Sequence, residues 1–327
     1  VPALPEARGE LSEAVTGALR REPGGRDSPL PDAAARDADP YGDDLQLALY
    51  LCYELHYRGF DGVDDAWEWD PGLLGLRGAL ERAFLAALRE EVPARDDVTA
   101  ALREVLVEPE DGAGVSHFLR DEGRLSHLRE YAALRSLYQL KEADPHAWAV
   151  PRLTGRAKAG LVAVEYDEFG AGRADRIHAD LFAALMGDLG LDPAYGRYLE
   201  AGTAPMLAVV NLMSLLGLHR AHRGALAGHF AVVEITSSPS SGRLVEAIDR
   251  LGAGAAARHF YAEHVEADAV HEQLVRHEVV GGLLADDPGL ARDIAFGADA
   301  TVLLEERLGA DVLRAWAAGR SAVRTPL

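Results

Sequence analysis

A single cysteine, Cys52, occurs in 327 residues. That excludes a disulfide framework, a Cys-ligated zinc site and a Cys-held iron–sulfur cluster within the chain. Any metal must be held by His, Asp and Glu. Lysine is nearly as scarce: Lys141 and Lys158 are the only lysines among 33 basic residues, a bias that reads as base composition rather than physics. Cations are also outnumbered, with 33 Lys+Arg against 53 Asp+Glu and a formal net charge of −20. A surface of that sign lacks the clustered cations that a phosphate-tracking nucleic-acid binder needs. The longest apolar run, Leu207 to Leu218, is broken by Asn211 and Ser214 and falls short of the roughly 18 to 20 residues of a membrane span. With no charged-then-apolar leader at Val1 either, the expectation is a cytoplasmic protein without nucleic-acid or membrane partners. Alternating strand-like runs are almost missing. Leu161 to Tyr166 could alternate, but its Ala- and Lys-containing flanks favour a helix.

What is present is a sizeable apolar fraction, 48%, arranged with helical period. Glu22 to Tyr41 is rich in Pro and Gly and cannot bury enough apolar surface to offset its ordering entropy. Residues 1–42 are therefore expected to form a flexible tail, with an isolated short helix over Glu10 to Arg21 at most. From Asp43 the three- and four-residue spacing of Leu45, Ala48, Leu51 and Leu55 is helical. Leu73 to Val92 follows, opened by Asp70-Pro71 as cap and first-turn proline. Further helical runs are expected at Asp96–Val107, Ser116–Lys141, Arg156–Phe169, Arg173–Leu189, Asp192–Ala201, Met206–His222, Leu226–Ile235, Gly242–Leu251, Ala255–Leu284 and Gly289–Gly319. The fold class is all-α. The expected organisation is a tail (1–42), accessory N-terminal helices (43–112) and a main helical domain (113–327).

Several motifs dissolve on inspection. Gly252 to Ala257 fits a loose dinucleotide fingerprint, but an amphipathic helix rather than a strand precedes it, so it reads as a helix end followed by a new helix. Gly170-Ala171-Gly172 reads as a helix break. His271-Glu272 begins like a zinc-protease motif, yet position 275 is Val275. His219 and His222 suit a solvated helix end. Ser116, Ser126 and the Ser237 to Ser241 cluster have no nucleophile-elbow context.

His264, Asp268 and His271 survive. At i, i+4 and i+7 they project within a stripe about 60° wide, so one helix offers two imidazoles and a carboxylate to one place. A polar helix face, or a core histidine tied to a carboxylate, would show the same spacing. Two other segments favour metal. Glu165 and Glu168 lie in an otherwise apolar helix, where an unpaired carboxylate is too costly to bury. Glu168 ends that helix and His178 follows the glycine turn. Upstream, Glu142 closes another helix just before Pro145. Three carboxylates and three neutral imidazoles around two Fe(II) ions leave +1, which suits oxygen chemistry or an anionic substrate.

With these residues in view, the stretch from Ser116 to Gly319 resembles the heme-oxygenase-like diiron oxidases and oxygenases, also called iron-containing redox enzymes. The likeness rests on HisValGluAlaAspAlaValHis at 264–271, GluTyrAspGluPheGlyAlaGlyArg at 165–173 with His178, and LysGluAlaAspProHisAlaTrp at 141–148. It implies a heme-oxygenase-like helical bundle with extra N-terminal helices. It also implies Glu142, His178 and His264 at one iron and Glu168, Asp268 and His271 at the other. Glu165 and His146 are alternatives to the assigned glutamates. The order and spacing of the ligands resemble the N-oxygenase branch of the family. Glu142 with His146 partly echoes its fatty-acid decarboxylase branch.

The implied function is a nonheme diiron oxygenase that uses two Fe(II) ions and activates O2 as a peroxo-diferric species. It would oxidise a small metabolite, with an external electron donor restoring the ferrous state. N-oxygenation of an amine, guanidine or amino acid leads; oxidative C–C cleavage or decarboxylation of a fatty or amino acid is the alternative. Arg173, Arg176, Asn211 and Tyr261 are candidate polar groups of a substrate pocket. A metal-free helical binding module is the rival outside the enzymes. The aromatic-rich segment with Tyr50, Tyr53, Tyr57, Trp67 and Trp69 could pair two copies into a homodimer or simply pack a core.

Overall fold

The computed structural model describes residues 1–24, 34–107 and 112–327, and among them there is no strand. In chain order the helices are α1 (Glu10–Leu19), α2 (Ala34–Asp37), α3 (Asp43–Glu54), α4 (Pro71–Glu91), α5 (Val98–Leu106), α6 (Val115–Asp121) and α7 (Leu125–Gln139). They continue as α8 (Asp144–Ala147), α9 (Gly155–Glu168), α10 (His178–Asp188), α11 (Ala204–Leu218) and α12 (Arg223–Leu251). The last are α13 (Ala255–Leu274), α14 (Gly281–Asp286) and α15 (Ala291–Ala317), with a π-helical stretch Val275–Val280 joining α13 to α14. One apolar core runs from Leu11 to Val323. Its spine is α12, which packs on α13 and α15, while α10 lies on α13 and α9 lies on the π-helical stretch. Gly228 on α12 and Gly297 on α15 let those two helices cross so closely that a Cβ at either position would overlap a backbone carbonyl of the other helix. No single helix among the described residues is long and apolar enough to cross a membrane.

The amino-terminal segment corrects the expectation of a flexible tail. Helix α1 buries Leu11, Val15, Ala18 and Leu19 and packs on α3. Its first turn is capped from a distance: Leu11 N and Ser12 N donate to Asp44 at 2.9 and 2.8 Å. The missing cap and the missing apolar partner are thus both supplied by α3, which is why α1 looks isolated in the sequence. Residues 25–33, within the Pro- and Gly-rich stretch, lie outside the described residues. Of the aromatic segment, Tyr50, Tyr53 and Trp67 are buried in this chain's own core and Trp69 is exposed.

Other boundaries differ for local reasons. The expected helix Asp192–Ala201 is instead a chain of turns, in which Ala194 N donates to the Asp192 side chain and Asp192 N to the Tyr198 hydroxyl, both at 2.9 Å. The two runs Leu226–Ile235 and Gly242–Leu251 are one helix, α12, which continues through Pro239. Thr236 and Ser240 hydroxyls donate to carbonyls one turn back, and Ser238 donates to Val265 O on α13 at 3.1 Å. The serine cluster therefore lies inside a helix. Ser116–Lys141 divides into α6 and α7, and Glu142 falls beyond the helix, in the turn after Gln139. Gly252 ends α12 in the left-handed conformation at φ 64°, and the Asp188 carboxylate then accepts from Ala256 N and Ala257 N in the first turn of α13. A helix end followed by a helix start accounts for that glycine pair.

Candidate metal centre

Helix α9 turns Ala157, Leu161, Val164, Glu165 and Glu168 inward, so the apolar face that holds the helix in the core also carries two carboxylates. The chain then reverses through Gly170, Ala171 and Gly172 at φ 77°, 52° and 81°. A Cβ at Gly170 would stand 2.8 Å from Ile177 N, a closeness only glycine permits. This tight turn makes His178 the first residue of α10 and sets its Nδ1 2.7 Å from Glu168 Oε2.

Helix α13 supplies the triad. His264, Asp268 and His271 are 4%, 2% and 1% exposed, so the stripe faces inward. His264 Nδ1 donates to Phe260 O at 2.7 Å, which leaves Nε2 as the free lone pair, 3.6 Å from Glu142 Oε2. His271 is held likewise. Its Nε2 lies 3.2 Å from the half-exposed Asp167 carboxylate, while Nδ1 faces Glu168 at 3.3 Å, Glu234 at 3.5 Å and Asp268 at 3.7 Å. Both imidazoles thus have one nitrogen oriented by an outer acceptor and the other turned to the carboxylates, the usual preparation of a metal ligand. With its amide nitrogen toward the site, Gln139 donates to both Glu142 oxygens at 3.0 and 3.2 Å.

The six expected residues converge in two groups. Glu142, Glu168, His178 and His264 form one; Glu168, Asp268 and His271 form the other; within each the ligand atoms lie within 4.8 Å of one another. Glu168 belongs to both, rather than to the second alone. Glu234, on α12, was absent from the sequence-based set. Its signal was available, because an acid in the apolar run Ala231-Val232-Val233-Glu234-Ile235 carries the same cost of burial as Glu168.

The polar atoms test whether these residues fit metal. Glu168 Oε2, His178 Nδ1, Glu234 Oε2, His264 Nε2, Asp268 Oδ2 and His271 Nδ1 are all buried without a partner in hydrogen-bonding geometry. Native interiors pair such atoms almost without exception. Six orphaned lone-pair atoms converging from α9, α10, α12 and α13 are a donor set in need of cations, and hard oxygen with imidazole suits iron or manganese. The thiol of Cys52 is buried and pushed up to about 12, so it offers no competing ligand.

Without metal, protons take the cations' place. Burial pushes the carboxyls of Glu234 up to about 8 and of Asp268 up to about 6. Burial lowers the imidazoles, but Glu142 overcomes it at His264, raised to about 10, and Glu168 with Glu234 overcomes it at His271, raised to about 11. Burial likewise opposes ionisation of Glu168, yet His178 and His271 hold it well below the usual carboxylate range. Tyr138, on α7, is buried among Glu142, Glu168, Glu234 and Glu165, and desolvation with those charges keeps its hydroxyl protonated.

The alternative ligands fall elsewhere. His146 Nε2 bonds His229 Nε2 at 3.1 Å, and its ring stacks on Phe230 at 4.4 Å. It lines an apolar cavity of about 10 Å³ with Leu161, Phe230 and Val279. Glu165 stays buried one turn from Glu168 with both oxygens unpartnered, outside either ligand group. Burial and Glu168 push it up to about 9. Asn211 donates to Gln46 O and Oε1 at 2.8 Å, Arg173 pairs with Asp175 at the surface, Arg176 is exposed, and His219 bonds Glu81 at 3.0 Å. Tyr261 is buried in the core beside the α13 triad.

Residues 129–306 match the family model described as iron-containing redox enzyme. The chain belongs to that family. The match spans every residue of the two ligand groups together with Glu165 and Glu234, and it leaves α1 to α6 outside. No curated protein matches the chain. As an iron-containing redox enzyme the protein is an oxidoreductase on an all-α, heme-oxygenase-like bundle, and its buried carboxylate and imidazole cluster is the place suited to iron.

Proposed function

We propose that this iron-containing redox enzyme holds two ferrous ions and uses O2 to oxidise a small metabolite, most simply by N-oxygenation of an amine, guanidine or amino acid in the cytoplasm. The observation that carries the reading is Glu168: one buried carboxylate serves two ligand groups whose lone pairs are otherwise orphaned. Glu142, His178 and His264 would complete one iron, and Asp268, His271 and Glu234 the other. Iron held by these residues would supply electrons for reducing O2, with an external donor to restore the ferrous state.

The chain's own residues prepare the chemistry. Counting Glu234, four ionised carboxylates with neutral imidazoles balance two Fe(II) ions, so the site has no surplus positive charge that would demand an anionic substrate. In the metal-free chain burial and Glu168 push Glu165 up to about 9, which makes it a neutral acid at pH 7 one turn from the ligands. Asp167, Phe260 and Gln139 orient the imidazoles and Glu142.

Mass spectrometry of products from an amine and fatty-acid panel, run with Fe(II), reductant and O2, tests the reading. The expected product is an amine or guanidine gaining oxygen from O2. A shortened fatty or amino acid would replace it with oxidative C–C cleavage. A metal-free binding module would show neither product nor iron uptake.

A further inference from the structure

Glu142 is the one expected ligand that lies on no helix, although Gln139 at the end of α7 holds its carboxylate. Helix α7 ends at Gln139, and Glu142 stands in the turn before α8. Beyond its own backbone bonds, that turn is fastened to α3 and the loop that follows it, outside the part of the chain that matches the family. Lys141, 1% exposed, sets its Nζ 2.8 Å from Glu54 Oε2 on α3, itself 0% exposed. The other oxygen of Glu54 accepts from the Tyr195 hydroxyl at 2.7 Å. The same ammonium lies over the rings of Tyr50 and Tyr57 at 4.8 and 4.5 Å. Arg58 Nη2 donates to Leu140 O at 3.3 Å, and its guanidinium covers the Tyr195 ring at 4.1 Å.

We propose that Lys141, anchored on Glu54 between Tyr50 and Tyr57, is a positioning residue that aims Glu142 at the metal site, making the amino-terminal helices part of that site. The inference rests on the two-metal reading above. With the residues at 140 and 141 fastened to α3 and its following loop, the side chain of the next residue points to His264. The lysine itself is informative. In a chain where only two of 33 basic residues are lysine, the buried one places a compact ammonium over two rings and beside a buried carboxylate. A buried ion pair contributes little net stability against its desolvation cost, so its use here is to fix geometry.

Anaerobic titration with Co(II), read by visible absorption and equilibrium dialysis, tests the proposal. The intact chain should bind two Co(II). Lys141→Met should weaken binding at the Glu142 group by about 10- to 100-fold, the range seen when outer partners of ligands are lost, and should change that site's absorption while sparing the other. Removing both charges in Lys141→Met with Glu54→Leu should restore the melting temperature but not the cobalt spectrum, which separates positioning from stability. Lys141→Arg should not rescue. If Lys141→Met does not fold, Tyr195→Phe decides, because it removes one hydrogen bond and keeps the ion pair: a smaller change in the same direction supports the proposal. A folded Lys141→Met, or Tyr195→Phe in its place, with two Co(II) at unchanged affinity and spectrum would overturn it. A wild-type chain that binds no Co(II) overturns the two-metal reading, and this inference with it.

Discussion

Two clusters of buried charge stand either side of residues 141 and 142, and they are opposites. Around Glu54 and Lys141 every charged atom has a partner: an ammonium, a carboxylate, a tyrosine hydroxyl and two aromatic faces close on one another. Around Glu168 the carboxylates and imidazoles crowd together, with six lone-pair atoms outside hydrogen-bonding geometry. A fold retains the first arrangement because it specifies one geometry and the second because something outside the chain completes it. Satisfaction of polar atoms, rather than burial or charge, separates a structural network from a ligand site here.

Substitutions should therefore act in opposite directions in the two places. The largest effect on stability is expected for Glu54→Leu, which strands the Lys141 ammonium in the core and should cost about 3–5 kcal/mol; chemical denaturation measures it, and a loss under about 1 kcal/mol would break the comparison. Glu234→Gln should do the reverse. In the metal-free protein it replaces a carboxyl that burial already pushes up to about 8 and should leave the melting temperature equal or higher, while metal affinity falls. A clear loss of metal-free stability would mean that Glu234 has a structural partner.

The pH dependence sharpens the same contrast. Glu165 has its folded pKa raised from the ordinary 4.5 to about 9, so the stability it contributes is full below pH 4.5 and is lost as pH rises through about 9. Metal-free wild type should lose melting temperature across that window, and Glu165→Gln, neutral throughout, should lose less; identical profiles would show that Glu165 is not held protonated. The smallest effect is expected at the rim. Asp167→Asn keeps an acceptor for His271 but removes the charge, and it should lower metal affinity by about tenfold with no change in melting temperature, read by competition with a chelator.

Legibility in the sequence followed the range of the interactions. The α13 triad was readable because three ligands share one helix and periodicity alone gathers them. Glu168 and His178 were readable because a glycine turn joins them and burial of a carboxylate demands a reason. Glu234 carried that same signal, but the Ser- and Pro-containing stretch made α12 look like two short runs, so its neighbours were not placed beside α13. The cap that Asp44 gives α1 and the pairing of Lys141 with Glu54 cannot be seen in either segment alone, because each partner arrives from a distant part of the chain. The scarcity of lysine was visible from the start; only the rings of Tyr50 and Tyr57 give Lys141 a physical reason.

The central claim is that Glu168 joins two metal sites. Anaerobic Fe(II) titration of wild type and Glu168→Ala, with bound iron counted by elemental analysis, tests it most directly. Two irons per wild-type chain and loss of both in Glu168→Ala is the expected result; one or none in wild type, or two retained in the variant, would contradict it.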